Sequence, residues 1–392
     1  MRARALMVAP EPFFEPRGTP LSVYYRTLVL TELGVEVDLI CYGQGEDVDL
    51  PGVRVLRIPR FEFLGRVGAG PSALKALLDI PLSARAYARL LSRRYDFVHV
   101  HEEASFLCWP LLLAGPKLVY DMHSSLPNQL VAYHWQRFPL LVPLLRRYER
   151  FCLRRADAVI TISPGLARHA RALVANPDRH LLIENSIFDP IRTRRSPDPD
   201  QASRWLARVP EGRVIVAYTG TFEPYQGLDL LIEATALARR RDPRLFLLLV
   251  GGEPSQVESH QALAARAGLH EHSLFTGPFD QASVEVILER AQVLASPRKD
   301  GTSTPLKLYR WLASGRPIVA TRMRAHTDVL DDAISFLVDP DPRAFAEGLL
   351  AAARGDQESR RRTEAALEVY RSRYSRPSYV AKMQELLGLL GL

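Results

Sequence analysis

The amino-acid sequence predicts an α/β protein of two facing, doubly wound domains with a cleft between them. Short apolar runs rich in β-branched residues alternate with helix-patterned segments along the chain, as in βαβ units with parallel sheets. The runs form two series on either side of residues 189–210, where Pro, Asp and Arg interrupt the periodicity. A chain of 392 residues also exceeds what one ordinary hydrophobic core contains.

Both series consist of short strand candidates separated by helical patterns. In the first series they are Arg4–Ala9, Val35–Cys41, Val53–Ile58, Phe97–His101, Lys117–Asp121, Ala158–Ile162 and Leu181–Glu184. In the second series they are Val214–Thr219, Leu245–Val250, Leu274–Thr276, Val293–Ser296, Pro317–Ala320 and Phe336–Val338. An amphipathic helix is predicted over Leu228–Arg239, and a last helix, Pro377–Leu390, follows a break that redirects the chain.

Composition and charge exclude several classes of protein. With 47% apolar and 24% charged residues, the chain has the composition of a soluble globular protein. Its three cysteines lack CxxC spacing, so they imply neither a disulfide framework nor a zinc site. No apolar run approaches the ~20 residues of a spanning helix, and the N-terminus lacks signal-peptide architecture. We therefore expect a cytoplasmic protein.

The net charge of +7 comes almost wholly from arginine, much of it at helical spacing. Such stripes are typical of solvated helix faces, and they can also contact anionic lipid or phosphorylated substrates. No nucleic-acid recognition module accompanies them, so nucleic acid is not an expected partner.

The segment 296–321 is the strongest candidate for a binding site. An apolar run ends in a basic pair, Arg298 and Lys299, before a turn of small residues that opens a helix at Pro305. The turn and the start of the helix are Gly301, Thr302, Ser303, Thr304, Pro305, Leu306 and Lys307. Free N–H groups and the positive end of a helix dipole suit a phosphate. The pattern predicts an anion site at the carboxyl end of a strand. An ordinary, well-capped βα turn has the same local pattern.

Two further glycine loops follow predicted strands. The first precedes a helix that begins at Pro20, and the second opens the second domain. Their candidate ligand-binding residues are Gly18, Thr19, Gly220, Thr221 and Gln226. Both loops suit a phosphate or a sugar, although neither is a GxGxxG or P-loop motif and a plain connection is the alternative.

A histidine follows the fifth predicted strand. His123 is expected at the carboxyl end of that strand, where an imidazole can donate to or accept from a ligand hydroxyl. A solvent-facing loop histidine is the alternative. His99 and His101 lie two apart on a strand and point to one face, with Glu102 and Glu103 nearby. No second cluster completes a metal site there, and no metal is expected.

Taken in order, these segments resemble the family 4 glycosyltransferases of the GT-B fold, in which two Rossmann-like domains face each other. AYTGTFEPYQGLDLLIEATALA, LLLVGGEP, FTGPF and ASPRKDGTSTPLKLYRWLASGRPIVATRMRAHTDVL follow in family order. RRADAVITISPGLARHA and IENSIFDP resemble the two segments before the interdomain linker, and YDMHSS places His123 at the position of the active-site histidine. The resemblance implies an acceptor domain over 1–190, a nucleotide-sugar domain over 191–374, and a final helix over 375–392 that crosses back.

The resemblance also implies a reaction. Such enzymes move a sugar from a nucleotide-diphosphate sugar to an acceptor with retention of configuration and without a metal ion or cofactor. The implied partners are the nucleotide sugar and an acceptor that is lipid-linked or a glycan. His123 would be catalytic, and the glycine loops and the 298–310 segment would bind the donor.

The chain departs from the family pattern at four positions. Thr221 and Gln226 stand where many members have an Arg and a Lys that neutralise the diphosphate, while Thr302 and Arg310 stand where many have two Glu. The sequence GTSTPLK resembles that of a branch of the family, and nearby cations can replace the missing ones. A non-catalytic relative that binds sugar or nucleotide is one alternative, and a sugar-nucleotide epimerase is another.

Peripheral membrane contact at the inner face is a separate hypothesis. Residues 61–94 mix apolar and basic side chains in a way that suits anionic lipid. The apolar residues are Phe61, Phe63, Leu64, Leu74, Leu77, Leu78 and Leu82, and the basic ones are Lys75, Arg85, Arg89, Arg93 and Arg94.

Overall fold

The computed structural model describes residues 2–15, 18–61, 65, 67–68, 72–107, 115–132, 141–185, 188, 198, 200–301 and 304–392. The chain divides into two compact units. The N-terminal unit is mainly Met1–Asn185 with Arg376–Leu392, and the C-terminal unit is mainly Arg195–Ser375.

The N-terminal unit is built on a parallel sheet of seven described strands. They are β1 (Arg4–Val8), β2 (Glu36–Cys41), β3 (Val53–Arg57), β4 (Phe97–His101), β5 (Lys117–Met122), β6 (Ala158–Thr161) and β7 (His180–Leu182). The helices described between them are α1 (Gly18–Glu32), α2 (Ala73–Ser92), α3 (Ala104–Leu107), α4 (Leu126–Ala132), α5 (Leu141–Arg155) and α6 (Pro164–Arg171). The strand order is β3-β2-β1-β4-β5-β6-β7.

The C-terminal unit repeats this plan with six described strands. They are β8 (Val214–Thr219), β9 (Leu245–Val250), β10 (Ser273–Phe275), β11 (Val293–Ser296), β12 (Ile318–Thr321) and β13 (Phe336–Val338). Its helices are α7 (Gln201–Leu206), α8 (Leu228–Arg239), α9 (Pro254–Arg266), α10 (Gln281–Arg290), α11 (Lys307–Ala313), α12 (Arg324–Thr327), α13 (Pro342–Ala353) and α14 (Gln357–Val369), followed by a π-helical turn, Tyr370–Tyr374. The strand order is β10-β9-β8-β11-β12-β13, again parallel.

Burial explains why the strands of the second sheet are continuously apolar. Every residue of β9 is buried, as in a parallel sheet covered by helices on both faces. Successive side chains enter opposite cores: Leu247 packs with Val216 on one face, and Leu248 packs with Ala217 on the other. The carboxyl ends of the strands therefore share one edge, and strand order reverses at β1/β4 and at β8/β11. Open α/β sheets bind ligands at such switch points.

The last helix, α15 (Arg376–Leu389), belongs to the N-terminal unit although it follows the C-terminal one in sequence. It buries Met383 and Leu386, which are fully shielded from solvent. Its first residue, Arg376, pairs with Glu32 of α1 at 2.7 Å. The end of the chain is thus fixed to the N-terminal unit by apolar packing and an exposed ion pair.

The predicted fold class, two doubly wound α/β domains, is confirmed, and the strands lie within about two residues of their predicted bounds. Several bounds differ by one or two residues, for example at three elements. The helix predicted from Pro305 begins at Lys307, the last helix starts and ends one residue early, and β7 is His180–Leu182. Helix ends fray into turns, and a strand ends where its neighbour no longer pairs with it, so terminal residues are the least determined by sequence.

Among the described residues, no helix combines the length and the apolar character that crossing a membrane would need.

Candidate functional site

In the C-terminal unit, glycines let three loops touch through their backbones at the carboxyl edge of the sheet. Gly227, in the loop after β8, has φ +72°, and a Cβ there would lie 2.1 Å from the carbonyl oxygen of Pro297 after β11. Gly251, after β9, has φ +126°, and its Cβ would lie 1.8 Å from the carbonyl oxygen of Gly220. No other residue fits these two positions without displacing backbone.

Lys307, the first residue of α11, lies at this edge with the end of its side chain buried. Its Nζ is shielded from solvent and makes no hydrogen bond to any described residue. Instead it lies 3.7 Å from the centre of the Tyr218 ring and 5.2 Å from that of Trp311. Burial, with a contribution from Arg298, lowers the pKa of Lys307 well below its usual range. Aromatic faces attract a cation but do not replace the hydrogen bonds of an ammonium group.

Arg298 and Lys299, the predicted basic pair, have different partners. The Arg298 guanidinium is largely buried over the Tyr225 ring, 5.0 Å from its centre, and its Nε donates to the Asp300 carbonyl at 2.7 Å. Burial lowers the pKa of Arg298. Lys299 instead forms an ion pair with Asp229. Arg298 is close enough to Lys307 to contribute to its lowered pKa, whereas Lys299 pairs with Asp229 of α8.

Two uncharged residues of the predicted site also carry buried polar atoms without partners among the described residues. They are Oε1 of Gln226 and Oγ1 of Thr304. Thr221 is exposed, and its carbonyl oxygen accepts from the Tyr218 hydroxyl at 2.7 Å. A buried polar atom without a partner is uncommon in a folded protein, and an absent ligand is one of its ordinary explanations.

The remaining predicted residues of this segment have structural contacts or lie outside the described chain. Gly301 has φ +97° and packs against the Arg298 guanidinium. Pro305 accepts from the N–H of Leu308 at 3.1 Å, and Leu306 immediately precedes α11. Arg310 pairs with Glu285 of α10. Thr302 and Ser303 lie outside the described residues.

His326 is a buried histidine that sequence reasoning missed. Its Nε2 lies 2.9 Å from Oγ of Ser296 at the end of β11, and its Nδ1 lies 2.8 Å from the carbonyl oxygen of Thr321 at the end of β12. Burial lowers the pKa of His326 to about 4. The ring is therefore neutral at pH 7 and links the ends of β11 and β12.

In the N-terminal unit, four polar residues meet at the ends of β4 and β5. His101 pairs with Asp121 in the sheet register, and His99 and His123 lie two residues away on the same face. Nε2 of His99 lies 3.0 Å from Oδ2 of Asp121. Nε2 of His123 lies 3.1 Å from Nδ1 of His101 and 3.2 Å from Oδ1 of Asp121. The His123 side chain is only 2% exposed, so it is not a solvent-facing loop histidine.

A buried arginine neutralises this group. Nε of Arg26, on α1, donates to Oδ2 of Asp121 at 2.8 Å, and its Nη2 donates to the carbonyl oxygen of Ile183 at 2.8 Å. Its Nη1 bonds to the hydroxyl of Tyr379 from the last helix. Burial alone would raise the pKa of Asp121, but Arg26 and the neighbouring His123 hold it well below its usual range. Arg26 and Asp121 were both missed, although a His/His pair (His99 and His101) and an Asp/His pair (Asp121 and His123), each two residues apart, were visible in the sequence.

His99, His101 and Asp121 offer three ligand atoms within 4.8 Å of one another, the geometry that a metal ion would require. The Asp121 oxygen nearest His99 is already bound by the Arg26 guanidinium. A second cation there would face an adjacent fixed positive charge, so these residues fit an internal ionic network better than a metal site. The absence of a metal stays a prediction.

The first predicted glycine loop contacts the side chain of Glu102, a residue with a strained backbone conformation. Gly18, with φ +45°, begins α1, and the hydroxyl of Thr19 lies 3.4 Å from Oε1 of Glu102. Glu102 has φ +50°, a strained conformation for this residue type, and its Oε2 accepts from Oγ of Ser124 at 2.8 Å. The loops after β1, β4 and β5 are thus joined through one carboxylate.

Two family models match the chain in succession. Residues 26–186 match the "Glycosyl transferase 4-like domain", and residues 213–354 match "Glycosyl transferases group 1". The chain belongs to the family 4 glycosyltransferases of the GT-B fold. The predicted family and the coarse prediction of a glycosyltransferase are thereby confirmed.

Curated relatives of this glycosyltransferase align over almost their full length. It is 27% identical to the D-inositol 3-phosphate glycosyltransferase of Saccharomonospora viridis, covering 94% of each chain. It is 26% identical to the phosphatidyl-myo-inositol mannosyltransferase of Mycobacterium leprae, covering 93% of this chain and 91% of the relative.

Solved structures share the fold at lower identity. Sucrose-phosphate synthase from Thermosynechococcus elongatus matches with a TM-score of 0.75 and 19% identity, covering 100% of this chain and 99% of that one. The Anabaena protein HepE, in complex with UDP, matches with a TM-score of 0.71 and 16% identity over 99% of both chains.

Proposed function

We propose that this glycosyltransferase moves a sugar from a nucleotide-diphosphate sugar to an acceptor hydroxyl with retention of configuration, its C-terminal unit binding the nucleotide. The observation that carries the proposal is the Lys307 Nζ, which is buried, within electrostatic reach of Arg298 and without a hydrogen-bond partner among the described residues. A diphosphate would supply both the missing hydrogen bonds and the missing negative charge.

The chemistry follows from the charge that must be stabilised. When the bond between the anomeric carbon and the phosphate oxygen breaks, negative charge develops on the leaving diphosphate. With the diphosphate bound, Lys307 and Arg298 would both be cations in a shielded site, where they would stabilise that charge with little reorganisation. The acceptor oxygen bonds to the anomeric carbon on the same face, and its proton passes to the leaving phosphate oxygen. This route needs neither a metal ion nor a pair of catalytic carboxylates.

The remaining predicted residues take supporting roles in this proposal. Thr221 and Gln226 replace the family's usual cations, and their polar groups would bind the donor without neutralising it. The lost charge would be restored by Lys307 and Arg298. His123 of the N-terminal unit would bind a substrate hydroxyl, and Gly18 would let backbone N–H groups approach a ligand.

The acceptor is proposed from the relatives alone. Their names specify D-inositol 3-phosphate and phosphatidyl-myo-inositol. Both molecules are therefore the first acceptors to assay, beside a glycan acceptor. Product analysis also separates transfer from epimerisation, since an epimerase returns an altered nucleotide sugar without an acceptor product.

The test is binding of UDP, GDP and ADP to the full chain by calorimetry, followed by their sugar conjugates. We expect selective binding of one nucleotide, weakened about 10–150-fold in Lys307→Met, because a charge-assisted hydrogen bond is worth about 1.5–3 kcal/mol. Arg322→Met is the matched control, since Arg322 is exposed in the same unit and pairs with Asp332. Binding of none of the three nucleotides would instead support the non-catalytic relative. Equal affinity in wild type and Lys307→Met would remove Lys307 from the site.

A second proposal, peripheral contact with anionic membrane, rests on fewer residues than the sequence pattern indicated. Helix α2 exposes Leu77, Ile80 and Leu91, the last by 91%. Leu78 and Leu82 are buried in the core, so the prediction was wrong for these two. Phe63 and Leu64 lie outside the described residues.

Three of the basic residues assigned to that surface have partners within the N-terminal unit. Lys75 lies 3.6 Å from Glu103, and Arg89 and Arg93 pair with Asp38. These pairs reduce the charge available to lipid. Co-sedimentation with anionic and neutral liposomes at low salt tests the proposal, and equal recovery with both would contradict it.

A further inference from the structure

We infer that Asp121 is a positioning residue that holds the proton of His123 on Nε2 and thereby leaves Nδ1 free to accept from a substrate hydroxyl. The inference deepens the proposed function and rests on it for the identity of the hydroxyl. The tautomer itself is a property of the free protein and can be measured without any substrate.

The argument begins with Nε2 of His123. It lies 3.1 Å from Nδ1 of His101, with hydrogen-bond geometry, and 3.2 Å from Oδ1 of Asp121. Only one of the two facing ring nitrogens can carry the bridging proton. If Nδ1 of His101 carried it, the lone pair of His123 Nε2 would face a carboxylate oxygen at 3.2 Å.

The charge of Asp121 decides between the two arrangements. Its carboxylate is fully buried beside the Arg26 guanidinium and is ionised, so it only accepts hydrogen bonds. Nδ1 of His101 is farther from it, 3.7 Å from Oδ2. Electrostatic attraction therefore favours the proton on the nearer nitrogen, Nε2 of His123, with His101 as its acceptor.

The other ring nitrogen of His123 then has a defined chemistry. In the neutral ring with a proton on Nε2, Nδ1 carries a lone pair. This Nδ1 is shielded from solvent and has no partner among the described residues. It is suited to a donor, such as the hydroxyl of a sugar or of an acceptor, and unsuited to a phosphate oxygen. The predicted role of His123 thus becomes specific: it accepts from a hydroxyl.

The rest of the network fixes Asp121. Both Nε of Arg26, at 2.8 Å, and Nε2 of His99, at 3.0 Å, contact the same oxygen, Oδ2. Oδ1 is left to face His123. The carboxylate therefore has one oxygen, Oδ2, that accepts hydrogen bonds, and one, Oδ1, that makes none to a described residue and acts on His123 through its charge. In Asp121→Asn, the two donors would keep the amide oxygen at the Oδ2 position and turn the NH₂ group towards His123.

The first experiment is nitrogen NMR of the full chain labelled with ¹⁵N-histidine, with His123 assigned by its loss in His123→Gln. We expect a protonated Nε2 and a bare Nδ1 in the wild type. A proton on Nδ1, alone or together with Nε2, would overturn the inference. This measurement stands even if Asp121 variants do not fold.

The second experiment uses Asp121→Asn. Its NH₂ group would donate to Nε2, so we expect the His123 tautomer to invert and Nδ1 to become protonated. The kcat for transfer should then fall about tenfold or more through loss of a hydrogen bond to the hydroxyl. The Kd for the nucleoside diphosphate should stay unchanged, because that site lies in the other unit.

Tyr379→Phe is the matched control. It removes a hydroxyl that bonds to Arg26 and leaves the Asp121 carboxylate and its bond to Nε of Arg26 in place, so the wild-type tautomer should persist. An unchanged tautomer in a folded Asp121→Asn protein would also overturn the inference. If no transfer is found with any donor, the proposed function fails, while the tautomer measurements still decide the role of Asp121.

Discussion

Arg26 and Lys307 are both buried basic residues near the carboxyl edge of their sheets, and they differ in what surrounds them. The Arg26 guanidinium contacts the Asp121 carboxylate, a backbone carbonyl and the Tyr379 hydroxyl. Among the described residues, the Lys307 Nζ has no hydrogen-bond partner; it lies against the rings of Tyr218 and Trp311, and Arg298 adds a like charge.

The difference separates a buried charge with its full set of partners from a buried group with no hydrogen-bond partner in the described part of the chain. A buried charge is tolerated when it is paired and hydrogen-bonded, and otherwise it shifts its pKa towards the neutral form. Arg26 is paired and hydrogen-bonded, whereas the pKa of Lys307 is shifted towards the neutral form. The paired arginine therefore stabilises the N-terminal unit, whereas the lysine costs stability at the proposed donor site.

Replacing Arg26 should produce the largest effect on stability. In Arg26→Met the Asp121 carboxylate would remain buried without its cation, which typically costs about 3–5 kcal/mol of unfolding free energy. Denaturant unfolding followed by circular dichroism measures the loss. By contrast, Lys307→Met should leave the unfolding free energy unchanged or slightly higher, because it removes an unpaired buried amine.

The double variant Arg26→Met/Asp121→Asn is the control for that comparison. Removing both charges should recover much of the stability lost in the single variant, since no uncompensated charge remains. If the double variant were as unstable as Arg26→Met alone, lost packing rather than the ion pair would explain the effect. If Lys307→Met lowered the unfolding free energy, Lys307 would stabilise the fold as Arg26 does, and the contrast between the two residues would be lost.

Acidification should have the next largest effect, through His326. Its pKa is about 4 in the folded protein and about 6.5 when unfolded. Between these values the unfolded chain binds more protons, so stability is present at pH 7 and lost as pH falls. We expect the C-terminal unit to lose on the order of 2 kcal/mol by pH 5, at about 1.4 kcal/mol per pKa unit.

Unfolding measured at pH 7 and pH 5 checks this, with His326→Gln as the control. The variant is expected to be less stable at pH 7 but to lose less on acidification, because glutamine does not titrate. An equal loss in both proteins would assign the pH dependence to other groups, such as His99 and His101, whose pKa values are also lowered by burial.

The fold could be predicted from the sequence because the patterns that indicate strands and helices are local. Apolar runs of four to six residues separated by helical periods predicted β8, β9 and β11 with their observed bounds, and Leu228–Arg239 was predicted as the helix it is. Periodicity and glycine stops depend on neighbours in the chain, which a sequence displays directly.

The ionic network could not be predicted in the same way. Arg26 and Asp121 are 95 residues apart in sequence, and Tyr379 is 353 residues beyond Arg26. Their contact depends on strand order and on the return of the last helix, neither of which a local pattern contains. Similarly, the basic stripe of α2 gave no indication that Arg89 would pair with Asp38.

The smallest expected effect, and the most direct comparison of the two cations, is proton uptake by Lys307. Its pKa is lowered in the free protein, and a bound diphosphate would raise it towards its usual range. Nucleotide binding should then take up a proton at pH values between the free and bound pKa. Affinity should be full below the free pKa and weaken, by at most tenfold per pH unit, as pH rises through that window.

Calorimetry in two buffers that differ in ionisation enthalpy measures the number of protons taken up when the nucleotide binds. Lys307→Arg is the matched control, because a guanidinium stays charged when buried, as Arg298 beside it does, and should take up none. His326 also lies close enough to Lys307 to feel its charge, so the wild-type count is compared with that of His326→Gln as well. Identical proton counts in wild type and Lys307→Arg would mean that Lys307 is charged before the ligand arrives. Its contrast with Arg26 would then lie in hydrogen bonding alone.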